Sequence, residues 1–158
     1  MAQIIRDPAL ELAARELREL IAKDQIPDAL KRLEKEEVDR GIILQSAFLC
    51  AMIREGHAHL ARRYLEQQDE PIFAAQGWIL FVIHRAHPRL GDVLTAIRYI
   101  NRIIVQEIRY ELLEILALIF YEFLLEVPEV ADRMIQNLEE PGDQAYVRAL
   151  LSEKRHPA

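Results

Sequence analysis

The sequence predicts an all-α protein built from repeated helical hairpins, and three features of the chain support this prediction. Apolar residues recur at helical spacing along most of the 158 residues. The sequence contains no segment with the alternating apolar and polar pattern of a half-buried β-strand. Ala29, Ala61, Ala96 and Ala131 are each followed four residues later by a large apolar residue, and successive alanines are 32, 35 and 35 residues apart. A period of this length is typical of helical-hairpin repeats.

Residues 7–36 are predicted to form the first hairpin. Asp7-Pro8 is a typical helix start, because Asp caps helix N-termini and Pro is tolerated in the first turn. The apolar residues that follow keep helical spacing to about residue 22. After a short break, Pro27 begins a second helix. The charged run 36–40 is interpreted as the end of this hairpin, before Gly41.

The second hairpin, residues 41–68, contains the best-preserved copy of the repeat. Its first helix is apolar almost all round, whereas its second helix has charged residues on one side. The turn between them contains Gly56, and Ala61 and Leu65 follow in the second helix. Glycine readily adopts the left-handed conformation that ends many helices. We therefore expect Gly56 to form the turn and Ala61 to allow the two helices to approach closely.

The third hairpin, residues 71–102, repeats this pattern with Gly91, Ala96 and Ile100. Its first helix contains the run 72–83, in which Gln76 is the only strongly polar residue. A run of about 12 apolar residues is too short to span a membrane and is typical of a buried helix. We expect this helix to lie between neighbouring repeats.

The fourth hairpin, residues 105–139, contains the helix that is predicted to be the most apolar, from about residue 107 to residue 126. Its glutamates fall within about 120° of arc at 100° per residue, and they are Glu107, Glu111, Glu114, Glu122 and Glu126. This pattern predicts one solvated stripe on an otherwise buried helix. A last helix, residues 143–154, is expected to cover the end of the repeat array.

Composition and charge limit the class of protein. The net charge of −6 argues against general nucleic-acid binding, which needs a positive field near the phosphates. A single cysteine, Cys50, cannot form a disulfide within the chain, and this favours a reducing compartment. Neither a secretory leader pattern nor an apolar segment of spanning length is found in the sequence. We therefore predict one domain, residues 1–158, in a soluble cytoplasmic protein with no membrane span.

The repeat resembles that of the tetratricopeptide-repeat family. The matching segments are residues 56–61, GHAHLA, and residues 91–96, GDVLTA. In that family a turn glycine precedes the second helix, which contains a small residue at the close approach. The resemblance covers residues 8–138 as four units and implies a right-handed α-α superhelix, or solenoid, closed by the C-terminal capping helix. Residues 129–151 also resemble a HEAT hairpin, so a HEAT-like solenoid is the alternative.

The resemblance implies that another protein binds in a groove lined by the first helices of the repeats. By this correspondence the partner-binding residues are Ser46, Cys50 and Arg54 in the second unit, Trp78, Phe81, Arg85 and Arg89 in the third, and Leu113, Leu116 and Phe120 in the fourth. The Lys/Asn pattern by which some family members clamp a terminal carboxylate is absent. The expected ligand is a peptide or helix segment, acidic or amphipathic, and the expected role is that of an adaptor or chaperone-like module.

The middle of the chain is enriched in arginine. Residues 41–105 contain seven arginines, no lysine and five acidic residues, whereas residues 106–158 contain five basic and eleven acidic residues. Three interpretations are open. The arginines could pair within the chain, bind an acidic peptide beside Trp78 and Phe81, or bind the acidic end of a second copy.

Candidate catalytic and metal-binding residues are few. His84 and His87 are three residues apart and could begin a metal site, but no third ligand is evident. Cys50 lacks the basic or helix-start surroundings that activate a thiol. The glutamate stripe is not accompanied by the Glu-x-x-His motif of bundle metal sites. We predict a non-catalytic protein without metal or cofactor. The alternatives are a homo-oligomeric structural protein whose apolar face is self-buried, and an unrecognised enzyme.

Overall fold

The computed structural model describes residues 7–36, 38–85, 89–119 and 128–155, which form nine helices and no strand. This confirms the predicted all-α class. The helices are α1 (Pro8–Ala22), α2 (Ile26–Glu34), α3 (Val38–Arg54), α4 (Ala58–Glu66), α5 (Pro71–His84), α6 (Leu90–Ile100), α7 (Gln106–Ile119), α8 (Pro128–Gln136) and α9 (Pro141–Arg155). None of these described helices is both long enough and apolar enough to cross a membrane.

The chain divides into two compact units, and the first, unit 1, is Met1–Glu66. Within it, α1 packs against α2 and α3, and α3 also packs against α2 and α4. The core of unit 1 consists mainly of Ala13, Leu17, Ile21, Ala29, Leu33, Leu44, Phe48, Leu49, Met52, Ala61 and Leu65. Each of the four helices therefore contributes an apolar face to one core.

The second unit, unit 2, is Gln67–Ala158. Here α5 packs against α6 and α7, α6 packs against α8, and α9 packs against α7 and α8. Its core includes Ala74, Ala75, Trp78, Phe81, Val82, Ala96, Ile97, Ile100, Leu113, Leu116, Ala131, Met134, Ile135, Leu138 and Val147. Helix α5, and not the described part of α7, is the most apolar of the described helices. It packs against both α6 and α7, which explains why it lacks a polar face.

The repeat anchors predicted from the sequence are all buried. They lie in the second helix of each pair, as Ala29 with Leu33, Ala61 with Leu65, Ala96 with Ile100 and Ala131 with Ile135. The alanines are at most 4% exposed and their large partners at most 6%. Because interiors are close-packed, a small side chain at each anchor lets a second helix lie close to its neighbour.

Prolines mark helix starts, as predicted for Pro8 and Pro27. The five described prolines, Pro8, Pro27, Pro71, Pro128 and Pro141, all lie in the first turn of a helix, and Pro88 and Pro157 lie outside the described residues. The Asp7 carboxylate caps α1 by accepting hydrogen bonds from two backbone N–H groups, at 2.9 and 3.4 Å. Glu70 caps α5 in the same way. These contacts satisfy donors that the first helical turn leaves without a partner.

The turn after α3 has the geometry predicted for Gly56. The φ angle of Gly56 is +83°. Its N–H donates to the carbonyl of Ile53 at 3.1 Å, and the N–H of His57 donates to the carbonyl of Met52 at 2.7 Å. These two bonds define a Schellman motif, which ends many helices at a left-handed residue.

The turn after α1 is built in the same way, with Asp24 in the position of the glycine. Asp24 has a φ of +61°. Its N–H donates to the carbonyl of Ile21 at 3.0 Å, and the N–H of Gln25 donates to that of Leu20 at 2.8 Å. The Asp24 carboxylate also lies 3.3 Å from Nε2 of His57, so the two equivalent turns contact each other.

The roles predicted for two glycines were wrong. Helix α3 begins at Val38, so residues 38–40 and Gly41 belong to a helix and not to the end of a hairpin. A helix tolerates an interior glycine at a cost of about 1 kcal/mol, so Gly41 is not a reliable helix terminator. Gly91 lies in the first turn of α6 and does not have a positive φ. Arg89 already has the extended backbone of an N-cap, so α6 starts before the predicted turn glycine.

The C-terminal helices agree with the predicted order. Helix α7 is described to Ile119, and its predicted continuation to residue 126 lies outside the described residues. The last helix, α9, is longer than the predicted 143–154 at both ends and packs against α7 and α8. It therefore covers the end of the fourth helix pair.

Candidate functional site

A surface concavity of about 290 Å³ lies between α1 and α3 of unit 1. Its lining residues are Arg15, Arg18, Glu19 and Ala22 from α1, and Ala51, Arg54 and Glu55 from the C-terminal end of α3 and the turn after it. Both helices contribute residues from their C-terminal halves. The C-terminal halves of the two packed helices therefore lie next to each other at this site.

The spacing of these residues explains how α1 forms one wall of the concavity. Arg15, Glu19 and Ala22 are four and three residues apart, so they lie on one face of the helix. The core residues of α1, Ala13, Leu17 and Ile21, occupy another face. Ala22 from α1 and Ala51 from α3 are small, which leaves space between the longer side chains.

The concavity has a small excess of positive charge, with three guanidinium groups and two carboxylates. Arg15, Arg18 and Arg54 are exposed, and none of them forms an ion pair with another described residue. Arg54 donates to Sγ of Cys50 at 3.7 Å, a contact to a weak acceptor. A guanidinium has five N–H donors in a planar fork that matches a carboxylate or phosphate. Most of this hydrogen-bonding capacity is available to a ligand.

The predicted partner-binding residues of unit 1 lie at or near this concavity. Ser46, Cys50 and Arg54 follow at four-residue spacing along α3 and share one face. Arg54 lines the concavity and Cys50 contacts Arg54, whereas Ser46 lies two turns before Arg54 on the same helix. Ser46 and Cys50 are half-buried, and Arg54 is exposed.

Arg15 and Arg18 were missed by the sequence-based prediction, although a signal for Arg18 was present. The alanine anchors of the first two repeats are 32 residues apart. The same step places Arg18 in α1 at the position that Cys50 occupies in α3. Cys50 was identified from its position within the second repeat. The same position in the first repeat is Arg18, so the same rule would have identified it.

Four predicted groove residues of unit 2 are core residues. Trp78, Phe81, Leu113 and Leu116 are at most 2% exposed. Trp78 and Phe81 pack edge to face, with ring centres 5.7 Å apart. The expectation that they line an open groove is therefore corrected. Neighbouring helices bury α5 on two sides, so its many apolar residues are needed for the core.

The other predicted residues of unit 2 have different surroundings. Arg85 is half-buried at the C-terminal end of α5, with its guanidinium carbon 5.4 Å from the centre of the Phe81 ring. Arg89 is exposed at the N-cap of α6. Phe120 and His87 lie outside the described residues. In the part of the chain that is described, no three His, Cys, Asp or Glu side chains are grouped as a metal site would require.

An acidic stripe on α7 of unit 2 is a second surface feature. Glu107, Glu111 and Glu114 are exposed, as predicted for a solvated stripe, and Glu122 and Glu126 lie outside the described residues. On the same helix, Ile115 is 40% exposed and Leu118 is 48% exposed. The hydroxyl of Tyr146 lies 3.4 Å from Glu114, and desolvation and the nearby Glu114 charge raise the pKa of Tyr146. The stripe thus combines negative charge with accessible apolar surface.

The described residues define an all-α protein with an arginine-lined concavity between two neighbouring helices. Comparisons with protein-family models, curated proteins and solved structures found no match to the chain. The similarity to tetratricopeptide repeats remains a resemblance at the level of sequence.

Proposed function

We propose that the chain is a non-catalytic protein-interaction module that binds a peptide or helix segment on the face formed by α1 and α3. The observation that carries this proposal is the concavity into which neighbouring helices direct Arg15, Arg18 and Arg54. Its volume of about 290 Å³ is just below the range for small-molecule sites, roughly 300–1,000 Å³. A site of this size suits one or two side chains of a longer ligand.

We further propose that the helices form a right-handed α-α solenoid of the kind that the sequence resembles. The packing of α1 against α3 and of α5 against α7 supports this, because first helices of successive hairpins are neighbours in such an array. The packing of α6 against α8 supports the same relation between second helices. Solenoids use the surface formed by one set of helices to bind extended partners. This arrangement suits an adaptor or chaperone-like role in the cytoplasm.

A peptide selection tests this function. Random peptides displayed on phage are selected against the folded chain, and their affinities are measured by fluorescence anisotropy. The same peptides are then tested on the triple variant Arg15→Glu, Arg18→Glu, Arg54→Glu. A matched control reverses three exposed arginines outside the concavity, Arg63, Arg98 and Arg133. Both triple variants change the net charge by the same amount.

The expected result is that selected peptides bind the wild-type chain and the control with similar affinity. Affinity for the concavity variant should fall by about tenfold or more, because reversal of a charge at a binding site replaces attraction by repulsion. Circular dichroism verifies that all three chains remain helical. A selection that enriches no peptide, or equal loss of affinity in both triple variants, would contradict the proposal.

A further inference from the structure

We propose that the acidic stripe of α7 in one copy of the chain binds the arginine-lined concavity between α1 and α3 of a second copy. This inference rests on the proposed function, because it assigns a particular ligand to the same α1/α3 face. It uses two surfaces that belong to different units, each with its own charges and exposed apolar residues.

The α1/α3 face has a small excess of positive charge, three arginines against Glu19 and Glu55, next to apolar surface. Its guanidinium groups are exposed and are not engaged in ion pairs with described residues. Leu12 is 54% exposed and Ile43 is 58% exposed. Leu12 precedes Arg15 by three residues, and Ile43 precedes Arg54 by eleven, so both lie on the same side of their helices as the arginines. At a rise of 1.5 Å per residue, the apolar residues lie about 5–16 Å from these arginines along the helix axes.

The outer face of α7 offers the opposite charge next to a similar apolar surface. The carboxylates of Glu107, Glu111 and Glu114 form no ion pair with any other residue that the structure describes. Ile115 and Leu118 continue the same side of the helix towards its C-terminal end, and both are exposed. From Glu107 to Leu118 the helix rises by about 16 Å.

The two surfaces therefore match in charge, in apolar content and in length. Arginine pairs with carboxylates through two parallel hydrogen bonds, so the charges favour one orientation of α7 on the face. The apolar residues Leu12 and Ile43 can then be buried against Ile115 and Leu118. Burial of these exposed apolar side chains stabilises the complex. Ion pairs at a solvated surface contribute little by themselves, so this burial is needed for binding.

An interface between two different surfaces is heterologous, so copies associate head to tail. Each α7 that is bound occupies the α1/α3 face of its neighbour. Self-association would then compete with a foreign peptide for the same face. At low protein concentration the face is free, and at high concentration the chain itself occupies it.

Two neutralising variants of the full chain test this interface by sedimentation velocity at about 5–200 µM, over which mass action populates a weak complex. The first changes Arg15, Arg18 and Arg54 to Gln, and the second changes Glu107, Glu111 and Glu114 to Gln. The expected results are a wild-type mass that rises with concentration and falls with added salt, and a single-copy mass for each variant alone. An equimolar mixture of the two variants should form a 1:1 dimer and nothing larger. The first variant keeps an intact α7 and the second keeps an intact concavity. Only these two surfaces can bind each other in the mixture.

A control variant changes the exposed arginines Arg63, Arg98 and Arg133 to Gln, and it should associate as the wild type does. A wild-type chain that stays a single copy over the whole range would overturn the inference. Association that all variants retain would also overturn it, because the contact would then use other residues.

If peptides from the phage selection still bind the α1/α3 face in these cases, the proposed function stands and only the self-association fails. If no peptide binds there, both fail.

Discussion

At the scale of single residues, the two helix-ending turns of unit 1 show how one backbone conformation is achieved with different side chains. Gly56 and Asp24 both have a positive φ and both complete a Schellman motif. The left-handed conformation costs a residue with a Cβ about 1 kcal/mol, and Asp is among the residues that tolerate it. The contact of Asp24 with His57 gives Asp24 a further role that glycine could not supply.

We predict that Gly56→Ala lowers the free energy of unfolding by about 1 kcal/mol, because the added Cβ disfavours the left-handed backbone. A Cβ at this position would meet no atom within 4 Å, so the cost comes from the backbone alone. Urea unfolding followed by circular dichroism measures it. Gly91→Ala is the matched control, since Gly91 is exposed, helical and equally unobstructed. It should stabilise the chain by about 0.5–1 kcal/mol. Equal effects of the two changes would contradict this explanation.

Tyr64 makes the stability of the chain depend on pH at high pH. Its ring packs edge to face with Phe48, with ring centres 5.0 Å apart. Burial raises the pKa of Tyr64 from 10.0 to about 12, and the nearby Gln45 amide opposes part of this change. Gln45 is itself fully buried, and neither polar atom of its side chain has a hydrogen bond of good geometry to a described residue. Burial therefore favours the neutral form of Tyr64.

The folded chain holds the Tyr64 proton more tightly than the unfolded chain does. The resulting stabilisation is fully present below pH 10 and is lost as the pH rises towards 12. Because Tyr64 is only partly buried, we expect the loss to be about 1–2 kcal/mol. Urea unfolding at pH 8 and pH 11 measures it for the wild type and for Tyr64→Phe. The variant should lose less stability over this interval. Parallel losses in the two chains would show that other groups cause the pH dependence.

At the scale of helices, a buried ion pair fixes the start of α9 in unit 2. Nε of Arg109 donates to the Asp143 carboxylate at 2.8 Å, and its Nη1 donates to the carbonyls of Ile103 and Ile104 at 2.9 and 3.0 Å. Asp143 is 1% exposed. One arginine on α7 therefore joins the first turn of α9 to the segment between α6 and α7.

We predict that Asp143→Ala lowers the free energy of unfolding by about 2–4 kcal/mol, since it leaves the partly buried charge of Arg109 without its carboxylate partner. Asp132→Ala is the control, because Asp132 is exposed on α8, and it should change stability by less than about 0.5 kcal/mol. Thermal and urea unfolding of the three chains provide the comparison. A loss below about 1 kcal/mol in Asp143→Ala would mean that the ion pair gives little net stabilisation.

Helix positions could be predicted from the sequence where local physics decides them. Prolines restrict helix starts whatever their surroundings, and the alanine anchors mark the faces on which helices meet. The start of α3 and the position of Gly91 could not be predicted in this way, because glycine and charged residues occur in helices as well as in turns. The structure shows that Gly91 lies within the first turn of α6 and does not form the turn before it.

The candidate site was predictable only in part, because burial depends on how helices pack. Arg54 was predicted from its position in the second repeat, and it lines the concavity. Trp78 and Leu113 share the equivalent helices of later repeats but lie in the core. The sequence shows that α5 and α7 are unusually apolar, but it does not show on how many sides neighbours cover them.

At the scale of the whole molecule, units 1 and 2 each have a core of their own. A single domain over residues 1–158 is the prediction from sequence, and the cooperativity of unfolding tests it. Neighbouring helices supply most contacts in repeat arrays, so a local change acts mainly on its own part of the array. We therefore expect a cavity in one unit to destabilise that unit more than the other.

Leu65→Ala in unit 1 and Leu113→Ala in unit 2 form a matched pair of such cavities. Both leucines are at most 1% exposed, and each change should cost about 2–5 kcal/mol. Native-state hydrogen exchange then reports the opening free energy of each helix. Leu65→Ala should lower protection mainly in α1 to α4, and Leu113→Ala mainly in α5 to α9. If each change instead lowers protection equally throughout the chain, the two units unfold as one cooperative domain. The self-association that we propose would then have to be tested with variants of equal stability, because a change in either surface would alter the stability of both.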